Sequence, residues 1–179
     1  MEKFAKLVGG LFKTKVQAEV LARDLFKGMV LDDLENLFKE QVKVWRQSKG
    51  FDEVHFIQTL FFYLVANVTM ALSVQQKENR KLDNVIYHFR EYALNEAKRR
   101  WRLSEESIDQ QVVIASESLS KLLFSNRQQS PGLSFDWSMN WLRWFGIEEY
   151  NPVKLLEIGV RWKSSLDVVV EIVEEVKVL

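Results

Sequence analysis

From Val54 to Gln76 the chain runs for 23 residues without one formal charge. That is long enough to cross a bilayer if it were apolar on every side. On a helical wheel Val54, Ile57, Leu60, Phe61, Leu64, Val65, Val68, Ala71 and Leu72 gather on one side. His55, Gln58, Thr59, Thr69 and Ser73 fall on the other, with Phe62 and Ala66 among them. A lipid-facing span would have to hide this amide-and-hydroxyl stripe in a bundle, yet the chain offers no second span to build one. The expectation is a central helix near residues 53–75, enclosed by the protein's own helices, with no transmembrane segment.

Composition agrees with a soluble helical domain. Of 179 residues, 47% are apolar, and 25 Lys and Arg balance 25 Asp and Glu. Such a chain is neither a polycation nor a disordered acidic tail, and it is long enough to bury a sizeable core. The absence of cysteine excludes disulfides, thiolate nucleophiles, zinc knuckles and iron–sulfur clusters. MEKFAKLVGGLFKTK carries lysines at 3, 6, 13 and 15 and does not read as a secretory leader, so a cytoplasmic location is expected.

Caps and breaks divide the rest into helices with short connections. Thr14 and Gln17 have capping-box spacing, Leu21, Ala22, Leu25 and Met29 form the following stripe, and Gly28 is a candidate stop. Asp32 opens a helix toward Trp45, and Asp52 can cap the uncharged one. Leu82, Val85, Ile86, Phe89, Ala93, Ala97 and Trp101 recur at helical spacing, and Ser104 caps a further helix carrying Ile108, Val112, Ala115 and Leu119. If the uncharged helix and the next form an antiparallel hairpin turning near residues 77–78, Trp101 lies level with residue 54.

After the loop at 125–133, Asn151-Pro152 starts another helix. Residues 165–179 are rich in β-branched side chains but read as helix, since a strand there would need a partner from another copy. The predicted fold is all-α: a single-domain bundle of about seven to eight helices, with possible subregions at 1–127 and 133–179.

Few constellations point to chemistry. His55 and His88 each stand three residues from a carboxylate, but the chain has no Glu-x-x-His, no Gly-x-Ser-x-Gly and no phosphate-cradling glycine loop. No catalytic, metal or cofactor residue is assigned, and an enzyme is not expected. Trp137, Trp141 and Trp144 share one side of a helix and are read either as the core of the C-terminal subregion or as the candidate partner-binding anchors. The basic run Lys98, Arg99, Arg100 and Arg102 is the candidate anion or nucleic-acid site, although nearby Glu105, Glu106, Asp52 and Glu53 can cancel its field. The stripe His55, Gln58, Thr59, Thr69 and Ser73 is the candidate polar pocket for a small ligand. Residues 3–15, with Phe4, Leu7, Val8, Leu11 and Phe12 on one face and lysines off it, fit the protein's own core, an anionic membrane or a partner surface.

The function expected from these features is association through helix faces by a non-enzymatic interaction, regulatory or structural protein, with homo-oligomers the favoured form. Nucleic-acid or anion binding is the alternative, and a ligand-binding bundle the second.

Overall fold

The computed structural model describes residues 15–46, 51–76, 80–125, 168–172 and 177–178. Five α-helices form among them: α1 (Ala18–Leu25), α2 (Asp33–Trp45), α3 (Glu53–Gln76), α4 (Leu82–Trp101) and α5 (Glu105–Ser125). A π-helical segment, Phe26–Asp32, joins α1 to α2. The protein is all-α. The described residues hold these five helices against the seven or eight anticipated for the whole chain, and much of the C-terminal third lies outside the described residues.

Helix α3 is the axis. Every residue from Thr59 to Val68 is buried, so both sides of the wheel are covered. The π segment, α2, α4 and α5 all pack on it. By length and composition alone α3 would also qualify as a membrane span, but 67% of its most apolar window is buried inside the protein. The Asp52 carboxylate starts it as expected, accepting the Val54 and His55 amides at 2.9 and 3.1 Å.

Helix α1 begins later than the capping box implies. Lys15 and Val16 are extended, Gln17 is the N-cap, and no side chain caps the helix. Nor does Gly28 stop it. Leu25, Asp32 and Asp33 all keep right-handed helical dihedrals, so Ala18 to Trp45 is one continuous helical path. Leu25, Phe26, Met29 and Val30 are buried across the glycine. Their burial, worth roughly 1.5–3 kcal/mol for each large side chain, outweighs the ~1 kcal/mol that glycine costs a helix interior. The irregularity appears as a wider turn instead of a break.

Phe26 ties this path to the hairpin through aromatic contacts. Phe26 meets Phe61 at 6.3 Å and Phe89 at 5.8 Å, both edge-on, and stacks on Tyr92 at 6.1 Å. Trp101 packs against Phe61 at 5.1 Å and Phe62 at 6.2 Å. Trp101 therefore meets α3 about two turns beyond residue 54, where a simple parallel-axis hairpin would have set it.

Ser104 begins α5 as expected, its Oγ accepting the Ser107 amide at 3.2 Å. Arg102 makes the bend before it in the left-handed region, at φ 55°. Near the C-terminus residues 168–172 form a helical turn with Val169 and Ile172 buried. Lys177–Val178 then pairs in parallel with Lys15–Val16. This corrects the expectation that a C-terminal strand needs another copy: the partner is the chain's own Lys15–Val16, too short for its sequence to announce a strand.

Candidate interaction surface

Helix α4 carries Lys98, Arg99 and Arg100 in its last turn, where cations complement the negative end of the dipole, and Arg102 is exposed just beyond it. The three cations within the helix are turned onto acids. Arg99 forms a bidentate pair with Glu96, Nε to Oε2 at 2.8 Å and Nη2 to Oε1 at 2.6 Å. Arg100 Nε reaches the same carboxylate at 2.5 Å, and Lys98 Nζ lies 3.2 Å from Glu105. The Arg99 hydrogen bonds, with help from Arg100, hold the Glu96 carboxyl down to about 2, against the opposing effect of its burial. Neutralisation was expected, but from other acids: among the described residues only Glu105 of the four named from sequence pairs, and Glu96, one turn back on the same helix, does most of the pairing.

The residues of the proposed polar pocket differ in exposure along α3. Thr59 is buried, with its Oγ1 3.5 Å from His55 Nε2, while His55 and Ser73 are exposed. Thr69 Oγ1 donates to the Val65 carbonyl and Ser73 Oγ to the Thr69 carbonyl, each at 2.8 Å. These are one-turn back-bonds that satisfy the hydroxyls within the helix. Gln58 is half-buried. Thr69 and Ser73 thus spend their hydroxyls along one helix.

His88 packs edge-on against Tyr87 at 5.4 Å. No group of three or more metal-ligating side chains is found among the described residues. Trp137, Trp141, Trp144 and residues 3–14 lie outside the described residues.

A surface that the sequence reading missed lies between α4 and α5. The two helices part over α3 and leave an open groove of about 370 Å³. Val65 of α3, Ile86 and Leu94 of α4, and Ile108 and Val112 of α5 give it an apolar floor. Tyr87 stands at its lip with 62% of its surface in water. Arg90 Nη2 reaches across to Asp109 Oδ1 at 3.2 Å. On the outer side of α5, Val113 and Ile114 are 54% and 38% exposed. One signal was available: Tyr87 and Leu94, a heptad apart, form a second apolar stripe beside the core stripe of α4.

No family model, curated protein or solved structure significantly matches this chain.

Proposed function

We propose that this protein is a non-enzymatic helical module that works by helix-face association, in the first instance with a second copy of itself. One observation carries the reading: α5 buries Ile108, Ala115 and Leu119 yet holds Val113 and Ile114 in water on its outer side. Apolar side chains that the core does not use are available to a partner. Two of them cover little area, so the dimer belongs to the weak, concentration-dependent class of small interfaces. Trp141 is the further anchor proposed from sequence.

Light scattering at two concentrations tests it. The mass should rise above the 21.1 kDa monomer as concentration increases, and Val113→Asp with Ile114→Asp should abolish the rise without lowering the melting temperature. A monomer at both concentrations contradicts self-association. Trp141→Ala should reduce the assembled mass while sparing the melt; unfolding by ~3–5 kcal/mol would make Trp141 a core residue instead.

A further inference from the structure

We infer that the groove between α4 and α5 is a receptor for a cationic amphipathic helix about three turns long, supplied by a protein other than this one. The inference rests on the helix-face reading above and names the partner for a face distinct from the outer side of α5.

Three features of the groove specify the occupant. The first is length. From Asp83 to Leu94 the α4 wall rises ~16 Å at 1.5 Å per residue, the length of three helical turns. The second is the apolar floor described above, with Val65 and Ile108 buried and Ile86, Leu94 and Val112 half-buried. A helix presenting apolar residues at i, i+3, i+4 and i+7 would cover the half-buried ones, with Tyr87 closing over it as an aromatic anchor.

Charge is the third, and it decides between partners. Asp83, Glu91, Glu105 and Asp109 line the groove against a single guanidinium, Arg90. Arg90 is spent on Asp109 and Lys98 on Glu105. Glu91 makes no ion pair among the described residues, and Asp83 accepts a hydrogen bond from the neutral amide of Gln76. The groove is therefore an acidic trough with an apolar bottom. A partner rich in phosphate would be repelled, as would a second copy docking the same face, because an isologous contact sets these carboxylates against themselves. Lysines or arginines flanking an apolar stripe would meet Glu91 and Asp83 on one wall and reinforce the exposed Glu105 and Asp109 pairs on the other.

The test uses the full chain and a fluorescein-labelled 14-residue peptide with Leu and Lys at amphipathic helical spacing, read by anisotropy. The same peptide with Glu for Lys is the control. The Lys peptide should bind at least tenfold more tightly than the Glu peptide, and affinity should fall as salt rises. Glu91→Lys with Asp83→Lys should weaken it at least tenfold with the melting temperature held, as should Tyr87→Asp, whose side chain lies outside the core. Glu35→Lys, an exposed acid on α2, should leave it unchanged.

Equal binding of the two peptides, an effect of Glu35→Lys as large as that of the groove variants, or no binding at millimolar peptide would overturn the inference. Light scattering separates the two claims. Concentration-dependent mass without peptide binding removes only the groove's partner, whereas a monomer that does bind the peptide removes only self-association.

Discussion

Helices α3 and α5 are close in length, 24 and 21 residues, yet meet water in opposite ways. Through its centre α3 has no outer side: Phe61 and Phe62 point in different directions and both are fully buried. Helix α5 has an inner stripe of Ile108, Ala115 and Leu119 and an outer one containing Val113 and Ile114 in solvent. The lesson is that the centre of the uncharged segment is where the fold consumes its apolar surface. Apolar residues stay in water at its two ends, Val54 and Val74, and on the charged helices around it.

The largest expected effect breaks or keeps that contrast directly. Phe61→Ala should cost ~3–5 kcal/mol in urea denaturation, because Phe61 touches Phe26, Phe62 and Trp101. Val113→Ala should stay within ~0.5 kcal/mol. Equal losses would mean that α5 is as enclosed as α3.

Asp33 sharpens the comparison on the polar side. Burial at the start of α2, reinforced by neighbouring Asp32, pushes its carboxyl up to about 6 from 3.8. Its folded form thus favours the proton. The stabilising contribution is complete below about pH 3.8 and is lost as pH rises through about 6. Asp33→Asn should therefore stabilise the protein by ~1–3 kcal/mol at pH 8, an advantage that vanishes near pH 4. A pH-independent difference would show Asp33 to be as hydrated as the acids along the groove.

Glu96 has the opposite sign and a smaller effect. Its carboxyl is held low, so its contribution is present above about pH 4.5 and is lost as pH falls toward 2. Arg99 stands largely in water, which screens the pair, so Glu96→Gln should cost only about 1 kcal/mol at pH 7. The gap should close as pH falls toward 2. Release of Arg99 and Arg100 should also delay elution from a heparin column; unchanged retention would mean that Glu96 was not what neutralised them.

Much of the architecture was legible because it rests on period and caps. Asp52 and Ser104 start their helices as their sequence positions imply, and Leu21, Ala22, Leu25, Leu82, Val85, Phe89, Ala93 and Ala97 are buried at the spacing that picked them out. Local signals failed where tertiary packing opposed them. Gly28 reads as a stop but lies within a run of buried side chains, and Thr14 and Gln17 read as a cap where Lys15–Val16 pairs with the far end of the chain. The groove was hidden for a related reason. It depends on how far α4 and α5 separate over α3, and a helical wheel shows which residues share a side but not the distance between two helices. The polar stripe likewise gives only a shared side of the wheel, and Thr69 and Ser73 satisfy their hydroxyls along their own helix.

Amide hydrogen exchange on the protein in detergent-free buffer tests most directly whether α3 is enclosed by its own chain. The amides from Thr59 to Val68 should be the slowest in the molecule, opening only with global unfolding, while those near Val113 exchange through smaller local fluctuations. Exchange at 59–68 as fast as at the outer turns of α5, or protection that appears only when lipid or detergent is added, would contradict the account.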